Sequence, residues 1–173
     1  MSLDAGVDVC ACDDDAFRYA CRNRQLGVAE WLVSLNVGVD VRACNDEAFR
    51  YSCMYGHLEV AKWLLSLNVG VDVCAENDEA FRSACFNGHL KTATWLLSLN
   101  AGVDVRAKND EAFLWSCTSG HLETAKWLVS LDVGVDVHAQ NDRAFQCARG
   151  AYGHLEVAKW LSSLNARETP NSN

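Results

Sequence analysis

The chain has 173 residues, half of them apolar, which is typical of one folded domain and not of a disordered segment. Its formal net charge of −8 disfavours nucleic-acid binding and attraction to an anionic membrane surface. No apolar run approaches the ~18 residues that a membrane-spanning helix needs, and the first residues do not form a secretory signal.

A unit of 32 residues recurs along the chain. Two of its copies, 45–76 and 77–108, are identical at 22 of 32 positions. The phenylalanines that mark the unit are Phe17, Phe49, Phe81, Phe113 and Phe145. The tryptophans that follow them are Trp31, Trp63, Trp95 and Trp127, with Trp160 one residue late. A period of this length predicts a stacked array of small units and not a single globule.

Each unit is predicted to begin with a short helix. In the copy at 45–76, Asn45 is a good N-cap, and Asp46 and Glu47 place negative charge on the first turn. Mostly small residues then recur at helical spacing, which predicts a buried stripe that allows close helix packing. Gly56 is expected to end the helix in a left-handed conformation.

A second helix is predicted to start near His57 and to end near Asn68, with a wider apolar face that includes Trp63. The alternation of Val69, Val71 and Val73 favours an extended link to the next unit. Neither helix buries its apolar face alone, so the units must stack. We expect the tryptophans and leucines to fill the space between second helices, and the stack to curve with the first helices on its concave side.

Two motifs resemble the ankyrin repeat family. GHLEVAKWLL at 56–65 is similar to that family's second-helix signature, and GVDVRA at 38–43 and 102–107 is similar to its link. Gly-His-Leu recurs at 56–58, 88–90, 120–122 and 153–155, and the resemblance covers residues 2–165. It implies an all-α protein, an ankyrin-type α-solenoid of five stacked helix-turn-helix repeats with extended inter-repeat loops.

The family's Thr-Pro-Leu-His opening is replaced by Glu-Ala-Phe-Arg at 47–50 and 79–82. This variant is similar to ankyrin repeats of large DNA viruses and amoeboid organisms. We expect a single domain at 1–166 and a flexible tail at 167–173. The domain divides into a partial repeat at 1–12 and repeats at about 13–44, 45–76, 77–108, 109–140 and 141–166.

The sequence predicts no catalytic centre, because no nucleophile, base and orienting group occur together. His57, His89, His121 and His154 are repeat residues, expected to tie each turn to the next unit. We expect no cofactor and no metal, since Cys10-Ala-Cys12 lacks the remaining ligands of a zinc site. Four cysteines at equivalent positions are predicted to be reduced, small, buried packing residues: Cys21, Cys53, Cys85 and Cys117. Four others are expected to be exposed: Cys10, Cys12, Cys44 and Cys74.

Arg18, Arg50 and Arg82 each follow an aspartate by four residues. We expect ion pairs with Asp14, Asp46 and Asp78 on one helix face. The alternative is an anion-binding stripe.

Variation within the repeated frame marks the candidate binding residues. Family resemblance implies that the end of the first helix and the loops face a concave groove that contacts a target. The positions two residues after each phenylalanine, such as Tyr51 and Trp115, fit the core as well as a contact surface. Aromatic residues, Met and Arg are enriched at interfaces. The predicted partner-binding residues are Arg22, Arg42, Tyr51, Met54, Tyr55, Phe86, Asn87, Arg106, Trp115 and Tyr152.

These residues favour a non-catalytic protein–protein interaction module. The alternative is a structural spacer, or a fragment of a longer array, with no partner of its own; an enzyme or a zinc protein is less favoured. We expect a protein partner, no nucleic acid, no membrane, a monomeric state and a cytoplasmic location, in a host cell if the chain is viral.

Overall fold

The computed structural model describes residues 11–150 and 153–168, and these residues form ten helices and no strand. The helices are α1 Ala11–Arg22, α2 Leu26–Ser34, α3 Ala43–Met54, α4 Leu58–Ser66, α5 Ala75–Phe86, α6 Leu90–Ser98, α7 Ala107–Thr118, α8 Leu122–Ser130, α9 Ala139–Arg149 and α10 Leu155–Glu168. Successive pairs form five helix-turn-helix units, here numbered 1 to 5. The all-α repeat architecture predicted from the 32-residue period is confirmed.

The closest packing between units joins their first helices. The backbones of α1, α3, α5, α7 and α9 approach their neighbours far more extensively than the second helices do. The residues at these contacts are small: Ala48, Ala80 and Ala112 are fully buried. Small side chains therefore set a short distance between first helices, as the stripe of small residues predicts.

A phenylalanine and a tryptophan from neighbouring units form each layer of the core. Phe81 is fully buried, and its ring centroid lies 6.2 Å from that of Trp127 in the next unit. The same contact joins Phe17 to Trp63, Phe49 to Trp95 and Phe113 to Trp160, at 6.2–6.4 Å. The tryptophans thus do more than fill the space between second helices. Each of these four indoles is long enough to reach the first helix of the preceding unit and complete its core.

The first helices begin differently from the prediction. In α3, Cys44, Asn45 and Asp46 have left-handed φ values of 56°, 58° and 59° before a right-handed helix continues. Asn45 is therefore not an N-cap. Asp46 is buried, and its Oδ2 accepts a hydrogen bond from the backbone N–H of Asp72 at 3.1 Å. The left-handed turn directs this carboxylate to the link that enters the next unit, and α5, α7 and α9 repeat the turn.

The turn between the two helices of a unit follows the prediction. Gly56 has φ +69°, and the N–H of His57 donates to Ser52 O at 2.8 Å, which closes α3 in a Schellman-type cap. The ring of His89, from the next unit, packs on this glycine: a Cβ atom on Gly56 would lie 2.6 Å from His89 Nδ1. His57 Nε2 lies 3.0 Å from the carbonyl oxygen of Arg22. The histidines are inter-unit ties, as expected, but they bind the preceding unit.

The expected pairs with Asp14, Asp46 and Asp78 are wrong, although Arg18 does pair with Asp15 of its own helix. Arg18, Arg50 and Arg82 instead pair with the glutamate of the next unit, at Glu47, Glu79 and Glu111. Arg50 also donates to the carbonyl oxygens of Cys44 and Asn45, both at 2.9 Å, and so caps the left-handed turn. Asp46 is unavailable to it because that carboxylate points inward. We call these three inter-unit pairs the arginine–glutamate ladder.

The ladder stops after unit 3. Unit 4 has Leu114 where the arginine would stand, and Leu114 is buried. Unit 5 has Arg143 where the glutamate would stand. Gln146 Nε2 donates to Asn141 O at 2.8 Å and keeps the capping role of the arginine. At the junction of units 4 and 5, both members of the arginine–glutamate pair are therefore replaced.

The histidine ties make stability depend on pH. Burial lowers the pKa of His57, His89 and His121, and the neighbouring histidines lower that of His89 further. The native state therefore binds fewer protons than the unfolded state below the ordinary pKa near 6.5, and stability falls as pH falls through that window. We expect a lower thermal midpoint at about pH 5.5 than at about pH 7.5. A variant with glutamine at all three positions should lose most of this difference, and an unchanged slope would contradict the assignment.

No helix in the described ranges is long and apolar enough to cross a membrane.

Candidate partner-binding surface

An arginine and two tyrosines form a cluster across the junction of units 1 and 2. Arg22 Cζ lies 5.2 Å from the ring centroid of Tyr51 and 5.4 Å from that of Tyr55. Arg22 Nη2 also donates to Tyr55 Oη at 3.0 Å. The two tyrosine rings meet edge to face at 6.4 Å. We call these three residues the tyrosine cluster; its cation–π contacts hold the rings in place at the surface.

A second aromatic contact lies across the junction of units 3 and 4. The rings of Phe86 and Trp115 meet edge to face with centroids 5.5 Å apart. Phe86 is 39% exposed, and Trp115 is half-buried. Arg82 Cζ lies 5.5 Å from the centroid of the Trp115 ring, so the indole makes a cation–π contact with a buried, ion-paired guanidinium. We call Phe86 and Trp115 the Phe–Trp pair.

One rule of register produces both clusters. The residue five positions after a unit's phenylalanine meets the residue two positions after the phenylalanine of the next unit, as Arg22 meets Tyr51 and Phe86 meets Trp115. At the junction between them, the same step places Met54 beside Ser83 by repeat position. Met54 is half-buried and Ser83 is buried. A small residue therefore separates two aromatic groups along the same line of the stack.

The remaining predicted residues are more dispersed. Asn87 is half-buried and donates from Nδ2 to Ser83 O at 2.9 Å, which ties it to its own helix end. Tyr152 lies outside the described residues. Tyr19, which was not among the predicted site residues, is 58% exposed. The sequence contains no signal that separates Tyr19 from Tyr51, because the two share a repeat position.

Arg42 and Arg106 lie on the loops, away from both aromatic groups. Arg42 donates from Nε and Nη2 to the two carboxylate oxygens of Asp46, at 3.0 and 3.1 Å. Arg106 makes the same bidentate pair with Asp110. The two arginine side chains are 46% and 48% exposed, so one edge of each guanidinium still faces solvent.

The described cysteines follow the prediction except Cys74, which is half-buried where exposure was expected. Cys21, Cys53, Cys85 and Cys117 are fully buried, and burial raises the pKa of Cys21 and of Cys117 to about 12. Cys12 and Cys44 are exposed, Cys74 is half-buried, and Cys10 lies outside the described residues. Within residues 11–150 and 153–168, no three His, Cys, Asp or Glu side chains are arranged to hold a metal ion.

Comparison with known proteins supports the repeat architecture. The sequence matches the family model described as ankyrin repeats (3 copies), over residues 17–109 and again over 83–172. A search of curated proteins gives no match.

Proposed function

The chain belongs to the ankyrin repeat family, and we propose that it binds a protein partner through the surface formed by the ends of its first helices and its inter-repeat loops. Ankyrin repeats are generally protein–protein interaction modules, and the family is typically non-enzymatic. The proposed contact residues are those predicted from the variable positions: Arg22, Arg42, Tyr51, Met54, Tyr55, Phe86, Asn87, Arg106, Trp115 and Tyr152.

The exposed Phe–Trp pair carries the proposal. Phe86 keeps 39% of its surface in water. Its ring is held against Trp115 and cannot easily turn inward. Rigid aromatic side chains with exposed faces are the usual anchors of protein interfaces, since little entropy is lost when a partner covers them. The tyrosine cluster offers a second anchor of the same kind.

The packing of the helices supports a concave shape for this surface. First helices lie close together because their facing residues are small, whereas large tryptophans separate the outer layer. Such a wedge-shaped unit, stacked repeatedly, bends toward its narrow side. The aromatic groups lie at the ends of the narrow-side helices, where a partner could contact several units at once.

Affinity capture with a matched control tests the proposal. We expect Tyr55→Ala/Phe86→Ala to weaken binding of the captured partner by about 30-fold or more, because each residue is an aromatic anchor. Trp31→Ala removes a similarly exposed ring, 51% exposed, from a second helix and should leave binding unchanged. Captured proteins are identified by quantitative mass spectrometry, and the dissociation constant is measured by calorimetry. Equal binding by the wild type and the double variant would instead favour a spacer.

A further inference from the structure

A buried aspartate recurs in the left-handed turn of units 1 to 4. Asp14, Asp46, Asp78 and Asp110 are 5%, 1%, 7% and 2% exposed. In Asp14 and Asp46, Oδ2 accepts a backbone N–H from the following link, at 3.0 and 3.1 Å. The second carboxylate oxygen, Oδ1, is what distinguishes the units.

Units 2 and 4 satisfy Oδ1 with an arginine of their own. Arg42 Nε donates to Asp46 Oδ1 at 3.0 Å, and Arg106 Nε donates to Asp110 Oδ1 at 3.0 Å. Each guanidinium reaches the glycine of the next link: a Cβ atom on Gly70 or on Gly134 would lie 3.7 Å from Nη1 of Arg42 or Arg106. The guanidinium thus fills a place between the buried carboxylate and the link glycine.

Unit 3 has Cys74 where units 2 and 4 have arginine. Asp78 Oδ1 is buried, and no nitrogen or oxygen donor of the described residues reaches it; its neighbour is the Cys74 thiol, a weak donor. A Cβ atom on Gly102, the link glycine of this place, would meet nothing within 4 Å. Burial raises the pKa of the Cys74 thiol to about 11, and a hydrogen bond with Asp78 raises it as well, so the thiol is neutral. Cys74 Sγ also donates to the carbonyl oxygen of Ala101 at 3.5 Å, so a ligand at this place would displace only a neutral thiol. In unit 1, Asp14 Oδ1 likewise accepts no hydrogen bond from the residues that the structure describes.

We propose that the place bounded by Cys74, Asp78 and Gly102 binds an arginine side chain of the protein partner, in the position that Arg42 and Arg106 occupy in units 2 and 4. The ligand group is a guanidinium because the two neighbouring units show its planar, two-point pairing with the same carboxylate. Asp72 and Asp104, exposed on the flanking links, add negative charge. Lys108 is the cation that lies nearest to this site by repeat position. It forms no salt bridge within the described ranges, so it does not neutralise Asp78.

This proposal depends on the proposed function in one respect, namely that the arginine belongs to a protein partner. A partner that covers the tyrosine cluster and the Phe–Trp pair would also place an arginine side chain at the site formed by Cys74, Asp78 and Gly102. The pairing is strong because a buried carboxylate oxygen whose neighbouring donor is only a thiol gains a charged donor. Specificity follows as well, because an ammonium group cannot make the bidentate contact.

Methylguanidinium alone tests the site without any partner. We expect saturable shifts of the backbone amide resonances at 74–78 and 102–104 in the wild type, and none with methylammonium at equal ionic strength. Cys74→Arg supplies the guanidinium internally, so it should abolish these shifts and raise the thermal midpoint. Arg42→Cys should create a second site, with new saturable shifts at 42–46 and at Gly70. Asp78→Asn should weaken binding at least about 30-fold.

Absence of saturable shifts in the wild type, or their persistence in Cys74→Arg, would overturn the site. Cys74→Arg keeps the test decisive even if Asp78→Asn does not fold, because units 2 and 4 already accommodate arginine at that position. The captured partner then identifies the carrier: its affinity should fall in Cys74→Arg. Methylguanidinium binding without any effect of Tyr55→Ala/Phe86→Ala would contradict the proposed function alone, and the reverse result would contradict this site alone.

Discussion

Replacement of Phe81 by alanine is expected to lower the free energy of unfolding by about 3–5 kcal/mol. Phe81 is fully buried in the middle unit and contacts Trp127 of the next unit, with ring centroids 6.2 Å apart. The substitution leaves a cavity at the junction of units 3 and 4. Because units in a stack contact only their neighbours, a weakened central junction also uncouples the two halves of the array.

Chemical denaturation followed by circular dichroism measures this loss, and Phe145→Ala is its matched control. Phe145 is the equivalent residue of unit 5 and is only half-buried. Its replacement should cost clearly less, about 1–2 kcal/mol, since a smaller apolar area returns to water. A broadened or two-step transition in Phe81→Ala would report the uncoupled halves. Similar losses for the two variants would contradict a core built from Phe–Trp layers.

Gly88→Ala is expected to destabilise the fold by about 2–4 kcal/mol, through two effects that add. Gly88 has φ +71°, a left-handed conformation that costs an alanine about 1 kcal/mol or more. The new Cβ atom would also lie 2.4 Å from His121 Nδ1, a distance that forces the ring of the next unit to move. Displacement of this ring weakens a contact between units 3 and 4 that is separate from the Phe81–Trp127 layer.

Gly102→Ala separates the two effects. Gly102 has φ +87°, but a Cβ atom there would meet nothing within 4 Å. This variant should lose only the backbone contribution, about 1 kcal/mol. The difference between the two alanine variants, measured by thermal or urea unfolding, therefore reports the histidine–glycine contact. Equal losses would mean that the histidine yields without cost and is not a structural tie.

Most of the fold could be predicted from the sequence because each unit repeats its pattern. The buried Phe and Cys positions, the glycine turn and the bounds of the second helices follow from spacing alone. The left-handed turn at 44–46 could not be predicted, since three successive residues with positive φ oppose the local preferences of Cys44 and its equivalents Glu76 and Lys108. A tertiary contact, from the Asp46 carboxylate to the backbone of the next link, stabilises it.

For the candidate surface, the same reasoning predicted residues but not the contacts among them. Variation among copies identified Tyr55, Phe86 and Trp115, but not the contacts among them, because these depend on the lateral offset between units. The Arg42–Asp46 pair did have a signal, the four-residue spacing. It was missed because Asp46 was assigned to the first turn of the helix and to a pair with Arg50. That the buried Asp78 lacks the arginine partner of Asp46 and Asp110 becomes evident only when the units are compared in three dimensions.

An array of near-identical parts can assemble in the wrong order, either within one chain or by exchange between two chains. The end of the arginine–glutamate ladder at Leu114 and Arg143 opposes such errors. If the fifth helix pair docked behind the second, Arg143 would face Arg50, and two like charges would meet in a half-buried place. Among units 1 to 4, only Leu114 provides a neutral neighbour for it. The charge at this position thus directs the fifth helix pair to the fourth, whereas the first three junctions share one and the same arginine–glutamate pair.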